Sequence, residues 1–275
     1  MNDVQLHSAA VENYASVHQV ASSQRFDECY HLAAQSFVAD SFSDEFTTME
    51  INVKGTQHLL AAFRDLQPEC RIYFAGSSEM FGKAAKVPQD EQTAFHPRSP
   101  YGISKVAGFH LARNFREAYG MHCSSGIMFN HESPRRGFEF VSRKITSGVA
   151  RILLGASSEL PLGSLDARRD WGHAADYVPA MWLMLQQDNP DDYVVATGQD
   201  HSVREFCEAA FSHVGLDYSD YVKADHRFTR PADVELLRGD ASKITKNLGW
   251  RPRIAFIDMV REMVSNDIEI LKGGA

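Results

Sequence analysis

Over the first 150 residues, short apolar runs rich in aromatic and β-branched side chains alternate with longer segments of helical periodicity. The runs at 28–33, 71–76 and 125–129 have the length and bounding turns of strands buried in a parallel sheet. The segments at 47–66, with Leu59, Leu60 and Phe63 on one face, and at 101–119 read as helices. Strand–helix–strand alternation needs crossover connections, and crossovers put helices on the faces of a parallel sheet. The fold class expected is therefore α/β, a doubly wound parallel sheet. After residue 130 the pattern loosens into helices at 143–153, 174–187, 203–214 and 256–271 and a strand at 193–196. Residues 1–150 are expected to form the sheet domain and 151–275 a smaller C-terminal lobe, with some segments returning to the sheet.

Composition narrows the function. Disorder is excluded by 44% hydrophobic residues and by 17 Phe, 9 Tyr and 3 Trp. A net charge of −8 argues against a nucleic-acid partner, because phosphate-backbone affinity needs clustered cations. No apolar run is long enough to span a membrane, and the N-terminus has no basic region followed by an apolar one. Cys29, Cys70, Cys123 and Cys207 lie far apart with no CxxC pair, which suits reduced thiols in the cytoplasm. The twelve His show no ligand spacing such as HExxH, so no metal is expected. Met181, Trp182, Met184 and Leu185 read as helix core, and Arg143 and Arg151 as solvated surface.

Two local patterns carry chemistry. Tyr101 and Lys105 stand four apart at the start of a helix, which puts both side chains on one face. An ammonium beside a phenol favours the phenolate, so the tyrosine can act as a base near neutral pH. The run Ile72-Tyr73-Phe74-Ala75 leads into Gly76-Ser77-Ser78-Glu79, at the carboxyl edge where open α/β sheets place their ligands. Ser77 can hydrogen-bond a substrate hydroxyl there, and Glu79 can move a proton. One pattern is not found. A dinucleotide-binding sheet opens with a strand, a glycine-rich turn and a helix whose N-terminus holds the pyrophosphate. The first glycine of this sequence is Gly55, and the later pairs Gly76/Gly82, Gly102/Gly108 and Gly120/Gly126 lack the fingerprint spacing.

With those residues in place, the sequence resembles the extended short-chain dehydrogenase/reductase superfamily, and within it the GDP-mannose 4,6-dehydratase family. The matching runs are Phe129-Asn130-His131-Glu132-Ser133-Pro134-Arg135-Arg136-Gly137, Phe140-Val141-Ser142-Arg143-Lys144-Ile145 and Arg168-Arg169-Asp170-Trp171-Gly172-His173. Arg230-Pro231-Ala232-Asp233-Val234-Glu235 and Gly239-Asp240 through Leu248-Gly249-Trp250 extend them. The resemblance implies an NAD(P)-binding Rossmann-like sheet without its first βαβ unit, a homo-oligomer, and a lyase acting on GDP-mannose or a related nucleotide sugar. It implies NADP as coenzyme, with NAD compatible. Tyr101 would be the base at the sugar C4 hydroxyl, supported by Lys105, and Glu79 would take the C5 proton and help expel the C6 hydroxyl. Ser77 stands where the family usually has Thr. Leu32, Ala33, Ala34, Gln35, Ser36, Tyr101, Lys105, His131 and Arg136 would face the coenzyme, while Thr47 falls where a coenzyme-contacting Tyr is common. Asn130, Lys144, Arg169, Arg230 and Asp233 would face the nucleotide sugar, Arg being suited to diphosphate by its bidentate fork.

Two other readings stand beside this one. A nucleotide-sugar epimerase or reductase shares the fold but needs no base at C5, which Glu79 would be. A non-catalytic nucleotide-sugar-binding chain, deficient in coenzyme, is favoured by the lack of a glycine-rich turn.

Overall fold

The computed structural model describes residues 4–225, 228, 232, 234 and 236–273. By contacts it divides into two units that interleave along the chain. The first holds the described residues up to Gly82, then Phe95–Ile127 and Met181–Tyr193; the second holds Lys83–Ala94, Met128–Ala180 and the described residues from Val194 on.

The first unit begins with helix α1 (Tyr14–Ser23), whose N-terminus is capped by the Asn13 side chain accepting from the Ser16 amide. Strand β1 (Glu28–His31) follows, then α2 (Glu45–Met49), a π-helical turn at Glu50–Lys54, and α3 (Gly55–Leu66). The single helix expected at 47–66 is thus interrupted. Asn52, inside the π turn, is buried and turns its carboxamide to the backbone of Gln35 and to Ser104 Oγ, bonds that a regular helix would not aim. Strand β2 (Arg71–Ser77) lies parallel to β1, with Tyr30 opposite Tyr73 and His31 opposite Phe74. Helix α4 (Pro100–Tyr119) starts at a Ser99 cap with Pro100 in its first turn and ends at Gly120 in the left-handed region (φ 66°), where glycine carries no steric cost. Strand β3 (Cys123–Met128) is buried at every position, as a central parallel strand requires. The sheet runs β1-β2-β3 and on to a fourth strand, Asp192–Val195, so among the described residues β1 is an edge. The last residue of β3 and the last two of that fourth strand are counted with the second unit. Arg113 and Arg116 of α4 clamp the buried Asp192 carboxylate at 2.9–3.0 Å.

The second unit contains β4 (Asn130–Glu132), α5 (Val141–Leu153), β5 (Leu160–Leu162), β6 (Arg168–His173) and α6 (Ala174–Leu185), the last running into the first unit at Met181. After β7, the strand Asp192–Val195, come β8 (Asp200–Ser202), α7 (Val203–Ser212), α8 (Tyr218–Tyr221) and β9 (Val222–Ala224). The unit finishes with β10 (Leu236–Leu237), α9 (Ser242–Leu248) and α10 (Phe256–Gly273). β6 pairs parallel with β4 and β10 and antiparallel with β8. Helices α5, α7 and α10 bury Ile145, Val149, Phe206, Phe211, Met259 and Met263 around Trp171.

Two expectations are corrected here. Trp182 is 52% exposed although Met181, Met184 and Leu185 are buried, because one face of α6 turns outward there. Arg143 is not surface: it is 3% exposed and ion-paired with Asp267 of α10, which replaces the water its charge would otherwise need. Arg151 is exposed as expected.

Candidate active site

Strand β2 delivers Ser77 to the carboxyl edge of the sheet, and the chain turns there through a short 3₁₀ segment, Ser78–Met80. Ser77 Oγ accepts from the Glu79 amide at 3.2 Å, capping that turn and fixing where Glu79 leaves it. The first turn of α4 lies directly on this segment. A Cβ on Gly102 would stand 2.7 Å from the Glu79 carbonyl oxygen, so only glycine allows so close an approach. Six residues further along the helix, a Cβ on Gly108 would stand 2.5 Å from the Phe74 ring, so α4 also lies flush on β2.

That packing positions Tyr101 and Lys105. Both are buried, at 8% and 6% exposure. Lys105 Nζ donates to the Ala75 carbonyl at 2.9 Å and lies 5.3 Å from the Phe74 ring centroid and 5.8 Å from that of Tyr101. Burial pushes the Lys105 ammonium down from 10.5 to about 8, which leaves it charged at neutral pH. Ser77, Glu79, Tyr101 and Lys105, expected from the sequence as one set, all lie in the first unit, where the Glu79 backbone and the first turn of α4 are in close contact.

Four residues that sequence reasoning missed support them. His31 Nε2 is 3.0 Å from Thr56 Oγ1, and the Thr56 hydroxyl sits 2.6 Å from the Asn52 carbonyl oxygen. The hydroxyl has one proton and donates it to that carbonyl, so His31 Nε2 carries the hydrogen and its Nδ1 is the bare acceptor. Burial first, and the Lys105 charge second, push His31 down to about 4, so the ring is neutral. Asn52 Nδ2 donates to Ser104 Oγ at 2.9 Å, and Ser104 Oγ donates to the Tyr101 carbonyl at 2.7 Å. No short-range spacing announces this group, because its members come from β1, the π turn, α3 and α4.

Leu32–Ser36 continue from β1 along the same sheet edge. Leu32 and Ala33 are exposed, Ala34 is half-buried, Ser36 is exposed, and Gln35 is bound through its backbone to Asn52 at 2.8 and 3.0 Å.

The second unit, taken by itself, holds the remaining described site residues. Asn130 and His131 lie on β4 opposite Trp171 and Gly172. His131 Nδ1 bonds the Phe129 carbonyl at 2.8 Å, its ring stacks on Tyr177 at 4.9 Å, and burial lowers its pKa. Arg136 faces Glu132 at 3.2 Å and lies over the Phe140 ring at 3.5 Å. Lys144 Nζ is 3.0 Å above the Phe228 ring. Arg169 is 8% exposed and donates to the carbonyls of Arg168 and Val234. Arg230 and Asp233 lie outside the described residues.

The family profile of GDP-mannose 4,6 dehydratase matches residues 1–263. The chain belongs to that family. It is 49% identical over 273 residues to GDP-mannose 4,6 dehydratase 2 of Arabidopsis thaliana, covering 98% of this chain and 73% of that protein. It is 43% identical over 289 residues to the GDP-mannose 4,6 dehydratase of Homo sapiens, covering 98% and 78%. Among solved structures, RMD from Pseudomonas aeruginosa complexed with NADPH superposes with a TM-score of 0.88 at 25% identity, covering 96% of this chain and 88% of that one. The α/β parallel fold expected from the sequence is borne out, and so is the family.

For this dehydratase-family chain, the fit of a nicotinamide coenzyme can be tested on the residues present. Lys105 spends one of its three hydrogens on Ala75, leaving donors for ribose hydroxyls beside the Tyr101 ring. The nicotinamide-ribose end therefore fits. The pyrophosphate end has no equivalent: among the described residues, no strand passes into a helix through a glycine-rich turn.

Proposed function

We propose that this chain converts GDP-mannose to GDP-4-keto-6-deoxymannose, a hydro-lyase reaction that uses NADP. The observation that carries the reading is the seating of the Glu79 turn against α4 at Gly102, between Tyr101 and Lys105 in the chain, with Ser77 capping the turn. NADP, when bound, supplies the acceptor for the C4 hydride and its donor back to C6. Ser77 Oγ holds the C4 hydroxyl and Tyr101 takes its proton, with the Lys105 ammonium favouring the phenolate. Oxidation at C4 acidifies the C5 proton. Glu79 removes that proton and passes one to the C6 hydroxyl, which leaves as water.

His131, Arg136 and Leu32–Ser36 face the coenzyme in this reading. Asn130, Lys144, Arg169, Arg230 and Asp233 face the GDP-sugar, whose diphosphate requires local cations despite the net charge of −8. The chain works in the cytoplasm as a homo-oligomer; its four free cysteines suit a reducing compartment.

The test replaces Glu79 with Gln in the NADP-supplemented enzyme. Water loss should stop while GDP-mannose affinity stays nearly unchanged, because the carboxylate acts mainly in the transition state. Equal turnover by both proteins would remove Glu79 from the mechanism. The rival reading, nucleotide-sugar binding without turnover, rests on the lack of a pyrophosphate cradle among the described residues. GDP-mannose binding with no product at saturating NADP would favour it.

A further inference from the structure

The buried Arg143 of the second unit has partners that divide into two sets. Its Nε donates to both carboxylate oxygens of Asp267 at 2.8 and 3.0 Å, and its Nη2 lies 2.6 Å from Oδ1 of the same group. Its Nη1 donates instead to the Pro134 carbonyl and, at 3.1 Å, to the Arg136 carbonyl. Thr146 Oγ1 donates to Asp267 Oδ2 at 2.6 Å, fixing the carboxylate from the helix that bears Arg143. Arg143 and Asp267 are 3% and 2% exposed.

The preceding residue on α5 holds the other end of the same turn. Ser142 Oγ donates to the buried Glu132 at 2.6 Å, and Glu132 pairs with Arg136 at 3.2 Å. Phe138 and Phe140 then cover the guanidinium groups of Arg143 and Arg136, at 4.4 and 3.5 Å. A buried ion pair is a poor way to gain stability, since an apolar pair of similar volume usually does as well or better. What this pair does that an apolar pair could not is bind two turn carbonyls at once.

We propose that Asp267, on the C-terminal helix, is a positioning residue for the coenzyme-facing Arg136, acting through Arg143 on the turn at 133–136. The coenzyme role of Arg136 rests on the reading given under Proposed function; the ordering of the turn does not.

Three variants, Asp267→Asn, Arg143→Lys and Thr146→Val, are compared with Arg136→Ala in two measurements. Hydrogen–deuterium exchange follows the amides of Arg135 and Arg136, which are bound to Ser133 Oγ and to the Ser133 carbonyl. NADPH and GDP titrations follow ligand affinity. Asp267→Asn and Arg143→Lys should speed exchange at these two amides and weaken NADPH about 5- to 30-fold, with GDP affinity held within about twofold. Thr146→Val should do the same to a smaller degree, and it decides the matter if either charge variant fails to fold. In an Arg136→Ala background, Asp267→Asn should add no further NADPH loss, which a general loosening of α10 would not predict. Turn amides that exchange at the wild-type rate in the folded variants overturn the proposal. So does a loss of GDP and NADPH affinity together. If Arg136→Ala leaves NADPH affinity unchanged while turn exchange still quickens in the other variants, the coenzyme role of Arg136 fails and the ordering of the turn stands.

Discussion

At the scale of single residues, the strongest constraints are two buried titratable groups of the first unit, His31 and Lys105. His31 is pushed from 6.5 to about 4, so between those values the unfolded chain binds a proton that the folded chain refuses. Stability is therefore present above pH 6.5 and is lost as the pH falls through this window, by about 3 kcal/mol if the full shift is expressed. Urea unfolding at several pH values should show a steeper acid loss for the wild type than for His31→Asn; matching slopes would contradict the buried neutral ring. Lys105 works with the opposite consequence for activity. Its ammonium is lost near pH 8, so turnover should decline through an alkaline limb centred there. Lys105→Met should cost about 10²–10⁴ in turnover, and an alkaline limb unmoved in any active Lys105 variant would assign that limb to another group. Ser77, Glu79, Tyr101 and Lys105 were legible in the sequence because each pair is set by chain-local spacing. His31, Thr56 and Ser104 were not, because each is ordinary in its own segment and acquires meaning only where the segments converge. Arg143 was misread for the same reason: its partner is 124 positions away.

At the scale of elements, α4 does most of the positioning, and it does so by lying close. Gly102→Ala would push a methyl against the Glu79 carbonyl, which cannot yield as a flexible side chain would. The expected result is a loss of about 1–3 kcal/mol in stability together with a fall in turnover larger than the fall in GDP-mannose affinity. Unchanged turnover would mean that the seating of α4 on the Glu79 turn is irrelevant to the chemistry. The alternation that revealed strand, helix and strand held because it is dictated by burial on both sheet faces. The π turn at Glu50–Lys54 was invisible because a tertiary contact, the Asn52 carboxamide bound to Gln35 and Ser104, overrides helical periodicity. Strand β1 stops at His31 and not at residue 33, where the chain turns to give the Gln35 backbone to Asn52. Its edge, with Tyr30 36% and Leu32 55% exposed, is open among the described residues. Open apolar edges recruit partners. The purified chain should therefore elute larger than a monomer in size-exclusion chromatography and release little NADP on extraction; a clean monomer with stoichiometric NADP would contradict both halves.

At the scale of the whole molecule, no described helix is long and apolar enough to cross a membrane, and the acidic balance leaves the cations to specific sites. The family and the fold follow from sequence runs spread across both units, while the proposed roles, proton transfer by Ser77, Glu79, Tyr101 and Lys105 and diphosphate recognition by the cationic residues, rest on side-chain chemistry. In the proposed reaction one sugar is oxidised at C4, dehydrated across C5–C6 and reduced at C6 without exchanging its hydride with water. GDP-mannose deuterated at C4, incubated with the enzyme and excess NADP, tests this directly by mass spectrometry and NMR of the product. The expected product is GDP-4-keto-6-deoxymannose carrying deuterium at C6, with one solvent-derived hydrogen at C5. Release of the label, or a product that keeps its C6 hydroxyl, would contradict it.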